Sequence, residues 1–184
     1  MVNATLAIED HRFYYHFGID FLGTLRALVT NIRANDIVQG GSTLSQQLAK
    51  NLFLTPERTI QRKLHEAMLA FWIEARLSKK EILKMYMDRV YLGGGTYGVE
   101  AAAQYYFGKS VKDVSLAEAA MLAGLYKAPS RYAPHINIAL SRQRASVVLD
   151  KMVEHGYVSK GDAYAAKRNP AEPTLQTTSS FPNY

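Results

Sequence analysis

The sequence predicts a mainly α-helical fold. Three observations carry this. Apolar residues recur three and four positions apart along most of the chain, Ser-x-x-Glu capping boxes precede two such runs, and no stretch alternates cleanly between turn signals. The elements follow in chain order. Asp20 is placed to cap a helix carrying Phe21, Leu22, Leu25, Leu28, Val29 and Ile32 on one face, and Gln39-Gly40-Gly41 breaks that pattern. A second helix begins near Ser42, with Leu44, Leu48 and Leu52 at four-residue spacing. Thr55-Pro56-Glu57 is a start signal for a third, predicted to bury Ile60, Leu64, Met68 and Phe71. The box Ser78–Glu81 opens a helix with Ile82, Leu83, Tyr86, Met87 and Val90, and Ser115–Glu118 opens another. A late helix uses Ala145, Val148, Leu149 and Met152, with Lys151 and His155 in its last turn and Gly156 as its stop.

The 184 residues suffice for one domain with a sizeable core, and 48% hydrophobic against 21% charged residues describes an ordered chain. Twenty-two Lys and Arg against 16 Asp and Glu give a net charge of +6, which favours an anionic partner without naming it. There is no cysteine, which excludes a disulfide framework, a thiolate metal site and a cysteine nucleophile. The longest apolar run, Ala67 to Ile73, is far short of the roughly 18–20 residues of a membrane-spanning helix. No signal peptide opens the chain. The tail from Asn169 has no periodicity and holds three of the six prolines, so residues 169–184 read as a linker after a domain at 1–168.

Three polar clusters interrupt the helical pattern. In the first, Glu9-Asp10-His11-Arg12-Phe13 runs on to His16 and Gly18. Two acids beside imidazoles and aromatics suit a tuned carboxylate, and they equally suit a solvated helix start. In the second, Gly40-Gly41-Ser42-Thr43 leads into Gln46, Gln47, Lys50 and Asn51, where the N–H groups of a helix start could receive a phosphate. The Gly-Lys-Ser/Thr ending of a P-loop is absent, and a capped surface helix is the other reading. In the third, Glu66 shares a face with Arg62 and Lys63. This is either a surface ion pair or a second carboxylate kept ionised by cations. No His-Glu-x-x-His, Gly-x-Ser-x-Gly or Ser-x-x-Lys signature of a zinc protease or serine hydrolase is present, and no helix-turn-helix or aromatic platform for nucleic acid.

In order, these clusters resemble the peptidoglycan glycosyltransferases of family 51, the transglycosylase domains of class A penicillin-binding proteins and the monofunctional transglycosylases. Glu9, Asp10, Phe13, His16 and Gly18 match the first motif, E-D-x-x-F-x-x-H-x-G. Gly40 to Asn51 match G-G-S-T-x-[TS]-Q-Q-x-x-K-N, with Ser45 where Thr is commoner, and Arg62-Lys63-Leu64-His65-Glu66 match R-K-x-x-E. Ile82 to Asp88 resemble I-L-x-x-Y-L-N, with Met87 and Asp88 as departures, and a fifth motif falls at Ala119–Leu125 running into Ala128–Tyr132.

The resemblance implies a lysozyme-like helical domain with a small membrane-proximal lobe. It implies a transferase that polymerises lipid II onto a lipid-linked glycan with β-1,4 linkage, inversion and release of undecaprenyl pyrophosphate. Glu9 would be the general base and Glu66 the second carboxylate. Lys50 and Arg58 would contact the pyrophosphate, while Ser42, Thr43, Gln46, Gln47 and Asn51 would line the donor groove. No cofactor would be required, and a divalent cation, Mg or Mn, could accompany the pyrophosphate. The implied setting is the outer face of the bacterial plasma membrane, with the anchor outside this chain, a transpeptidase domain beyond the linker, cell-wall synthesis proteins as partners, and no nucleic acid. A lysozyme-like muramidase and a non-catalytic membrane-associated helical module are the rival readings.

Overall fold

The computed structural model describes residues 1–34, 40–53 and 59–174. Its helices are α1 (Val2–Glu9), α2 (Phe21–Ala34), α3 (Leu44–Phe53), α4 (Ile60–Arg76), α5 (Lys79–Arg89), α6 (Val99–Phe107), α7 (Leu116–Gly124), α8 (Pro129–Tyr132), α9 (Ile138–Glu154) and α10 (Lys160–Arg168). Among the described residues extended pairing is limited to two isolated bridges, Phe17 with Ile19 and Tyr91 with Tyr97. The mainly α expectation therefore holds. The chain forms two compact units, one of residues Glu9–Met87 and one of Met1–Ile8 with Asp88–Tyr184.

In the Glu9–Met87 unit, α3 packs on α4. Leu44, Leu48 and Ala49 of α3 and Ala70 and Ile73 of α4 are buried; of the three leucines expected in the core Leu44 and Leu48 are there, and Leu52 is half-buried. The face predicted for α4 is wrong. Ile60 is 91% exposed, Leu64 62% and Met68 61%, and Phe71 is also exposed. The helical period is right, but the side turned to α3 carries Glu66, Ala70, Ile73 and Glu74. Ser45 explains the inversion: its hydroxyl donates to Glu74 Oε1 at 2.6 Å, and Lys79 Nζ donates to the same oxygen at 2.7 Å. A buried carboxylate so satisfied makes a polar face packable.

Helix α2 repeats the pattern. Its apolar residues from Phe21 to Ile32 lie on the surface, and only Ala27 is buried. The cap predicted for it is present: Gly23 N–H donates to Asp20 Oδ1 at 2.9 Å. The start signal Thr55-Pro56-Glu57 lies outside the described residues; α4 begins at Ile60, with Thr59 accepting from Arg62 N–H.

In the other unit, α7 packs on α9. Every residue of α7 from Ala117 to Gly124 is buried, and its alanines admit α9 closely; a Cβ on Gly124 would lie 3.0 Å from the Arg144 side chain. Ala145, Val148, Leu149 and Met152 fill the α9 side, as predicted. Ser115 and Glu118 form a complete capping box. Gly156 ends α9 with φ +73°. Helix α10, capped by Ser159, is tied to α9 by Lys167 Nζ donating to Asp150 at 2.6 Å. Tyr106 is fully buried and donates to Leu92 O at 3.0 Å; burial pushes its phenol well above the ordinary range.

Candidate active site

The site assembles within the Glu9–Met87 unit, around the start of α3. Thr43 precedes α3 as its N-cap. Gln46 N–H donates to Thr43 Oγ1 at 3.1 Å, while Thr43 N–H donates to Gln46 Oε1 at 2.9 Å. This is a Thr-x-x-Gln capping box, and it buries both side chains. Thr43 Oγ1 also donates to Gly18 O at 2.6 Å. Gly18 has φ +74°, and a Cβ there would stand 3.1 Å from Phe71, so the glycine of the first motif is needed twice over.

Asp10 fastens the first motif to the second. Leu44 N–H donates to Asp10 Oδ2 at 3.0 Å, placing a carboxylate at the positive end of α3. His16 Nε2 lies 2.9 and 3.0 Å from the two Asp10 oxygens, and a carboxylate only accepts, so Nε2 carries the hydrogen. Asp10 and Thr43 thus engage the N–H groups of Leu44 and Gln46. The start of α3 therefore behaves as the capped helix, and Asp10 fills the place offered to a phosphate.

Glu9, the last residue of α1, sits beside this anchor. Gln47, one turn into α3, donates from Nε2 to Glu9 Oε2 at 2.8 Å, and Tyr86 of α5 donates to Gln47 Oε1 at 3.1 Å. Glu9, Asp10, His11 and Asp20 line a shallow recess of about 40 Å³ with Ser42 and Thr43.

Glu66 is buried in α4, 2% exposed. Lys63 Nζ donates to Glu66 Oε1 at 2.5 Å and to Ser42 Oγ at 2.6 Å. The same lysine therefore holds the second carboxylate and reaches the loop before α3. Arg62 Nε is buried with no hydrogen-bond partner among the described residues.

The structure thus brings Glu9, Ser42, Gln47 and Glu66 to one polar segment, with Thr43 and Gln46 folded in as its caps. Lys50 and Asn51 lie further along α3, both exposed, and Arg58 lies outside the described residues. Sequence reasoning missed the cap made by Thr43 and Gln46, although Thr-x-x-Gln ahead of an apolar run signals it. It also missed the ties made by Asp10 and Tyr86, whose partners are 34 and 39 positions away. Among the described residues no three His, Asp or Glu side chains converge on a cation position.

Comparison with known proteins gives the family. The transglycosylase family profile matches residues 1–153. The penicillin-binding protein 1A of Aquifex aeolicus is 49% identical over all 184 residues, which span 25% of that relative. That of Pseudomonas aeruginosa is 46% identical over 92% of the chain and 21% of the relative. The crystal structure of Haemophilus influenzae penicillin-binding protein 1A superposes with a TM-score of 0.51 at 33% identity, covering 73% of this chain and 17% of that one. A profile match that begins at the first residue and takes in every motif of the site, with relatives near half identity, makes this chain a member of the transglycosylase family.

Proposed function

We propose that the chain is a peptidoglycan glycosyltransferase that polymerises lipid II. The observation that carries this reading is the Glu9 carboxylate held by a side-chain amide from α3 within a transglycosylase-family chain. A sugar hydroxyl is a poor nucleophile at neutral pH, and a positioned base supplies roughly 10²–10⁴-fold. Glu9 takes the proton of the acceptor GlcNAc 4-hydroxyl as that oxygen attacks the anomeric carbon of the lipid-linked donor. The bond to the α-linked pyrophosphate breaks on the opposite face, its electron pair leaving with the phosphate oxygen, and the new linkage is β-1,4. The leaving group gathers negative charge, which Lys50 and Arg58 are suited to neutralise. Glu66, kept in place by Lys63, orients the donor at the Ser42 loop. Asn51 and Gln47 lend polar contacts along the same helix.

Incubation with lipid II tests the reading: polymer that lysozyme degrades is expected. Glu9→Gln keeps the hydrogen bond with Gln47 and removes the base, so it lowers the rate by roughly 10²–10⁴-fold with the melting temperature near wild type. Shortening of preformed glycan without synthesis would overturn the reading in favour of a muramidase.

The donor set also predicts metal independence. Lysines supply the positive charge at Glu66 and toward the pyrophosphate, and no His, Asp or Glu cage accompanies them among the described residues. Polymerisation in excess EDTA should stay within about twofold of the untreated rate, well under one decade, or 1.4 kcal/mol of barrier. Loss restored by added Mg or Mn would show that a cation is required.

The acceptor and donor carry long lipids, and α2 and α4 expose apolar faces in the same unit as the site. We place this unit against the outer leaflet of the bacterial plasma membrane. No described helix is long and apolar enough to cross it.

A further inference from the structure

We propose that Tyr86 is a positioning residue for the Glu9 base and acts through Gln47; the inference rests on the role of Glu9 given above. Tyr86 is 1% exposed, and its hydroxyl donates to Gln47 Oε1, whose Nε2 donates to Glu9 Oε2. The direction of this chain is set by chemistry. An ionised carboxylate only accepts, so the nitrogen end of the amide faces Glu9 and the oxygen end faces Tyr86. A turned amide would put oxygen against oxygen at Glu9, and the Tyr86 hydroxyl would have to turn from donor to acceptor. By donating to Oε1 the phenol occupies the amide oxygen and polarises the amide, strengthening the N–H donor that favours the charged form of the base.

Tyr86 lies on α5, while Gln47 lies on α3 and Glu9 ends α1, so three elements fix one carboxylate. Among the described residues, Asp10, His11 and Asp20 share its recess, Arg26 stands beside His11, and Lys63 joins Glu66 to Ser42. Tyr86→Phe changes none of these side chains. It removes one oxygen from a ring already packed in place.

The test uses Tyr86→Phe and, as a second break in the same chain, Gln47→Leu. For Tyr86→Phe, kcat on lipid II should fall by about tenfold, the worth of one buried hydrogen bond, with KM within about twofold. The acid limb of the kcat profile should move to higher pH. A carbon-13 titration of the Glu9 carboxyl should show its midpoint moving up in both variants. In the Gln47→Leu background, adding Tyr86→Phe should change neither kcat nor the midpoint. A wild-type profile in Tyr86→Phe, or an equal effect with and without Gln47, overturns the inference. If Tyr86→Phe does not fold, an unmoved Glu9 midpoint in Gln47→Leu overturns it. If the wild-type chain fails to polymerise lipid II, the functional reading falls, and the titration still decides the role of Tyr86.

Discussion

Ser45, Glu74 and Lys79 show how much of the packing among α3, α4 and α5 depends on one buried charge. The Glu74 side chain is 2% exposed, and Lys79 both donates to it and lies 4.3 Å over the ring of Phe13. One ammonium thus joins the start of α5 to α4 and to an aromatic of the first motif. Lys79→Met keeps the stem but strands the carboxylate, leaving Ser45 as its remaining partner among these three. Removing one member of a buried pair is costly because the other charge stays behind, and a loss of about 2–3 kcal/mol is expected. Urea unfolding at pH 7 measures it. The double variant Lys79→Met with Glu74→Gln should recover part of the loss, since it removes the stranded charge. No recovery would show that the ammonium matters through packing on Phe13 instead.

At the scale of elements, period was legible in the sequence and facing was not. Helices α2, α3, α5, α7 and α9 stand where periodicity and caps put them, and α4 begins at Ile60 behind a Thr59 cap that sequence reasoning missed. Yet α4 turns Glu66 and Glu74 inward and its large apolar residues outward. A hydrophobic stripe predicts the buried face only when water is the alternative environment, and here the polar side is satisfied by Ser45, Lys63 and Lys79. Ser45 is remote in sequence and Lys79 belongs to the next helix, so of the three only Lys63, one turn before Glu66, shows in the local pattern. Helices α1, α6, α8 and α10 are short, of four to nine residues, which gives periodicity little room, and they lack the Ser-x-x-Glu box that announces α7 at the same length. The motifs, by contrast, named Glu9, Ser42, Gln47 and Glu66, and in the structure these four lie along one polar segment of the Glu9–Met87 unit.

The caps carry a pH dependence of known sign. Ser78 Oγ–H and N–H both donate to Glu81 Oε2, at 2.6 and 2.8 Å, and these bonds hold the carboxyl below its ordinary value of 4.5. A group whose folded value is lowered stabilises the fold fully above its unfolded value and loses that contribution as pH falls through the lowered one. Glu81→Gln should therefore melt below wild type at pH 7, and the gap should close as pH falls below about 4. Thermal melts at several pH values follow this. A gap independent of pH would mean the cap works through geometry alone.

At the scale of the molecule, the exposed apolar residues and the charge of +6 belong to one account. In the Glu9–Met87 unit, Phe21, Leu22, Leu25, Leu28 and Ile32 of α2 are all more than half exposed, as are Ile60, Leu64 and Met68 of α4. Isolated surface apolar residues need no explanation, but two helices presenting whole stripes do. A helix that lies in the membrane interface buries such a stripe, while anionic headgroups attract the basic surplus. Binding to vesicles of anionic phospholipid should then have two separable parts. High salt should weaken it through the electrostatic part and leave the apolar part. Leu25→Glu with Leu28→Glu should remove burial worth about 1.5–3 kcal/mol per leucine, reducing the bound fraction by at least tenfold at any salt concentration. Cosedimentation reads both, with circular dichroism to establish that the helix content is kept. Binding lost in salt alone, and unchanged by the double substitution, would show that α2 faces something other than lipid. Concentration-dependent self-association abolished by the same substitutions would identify that something as a second copy of the chain.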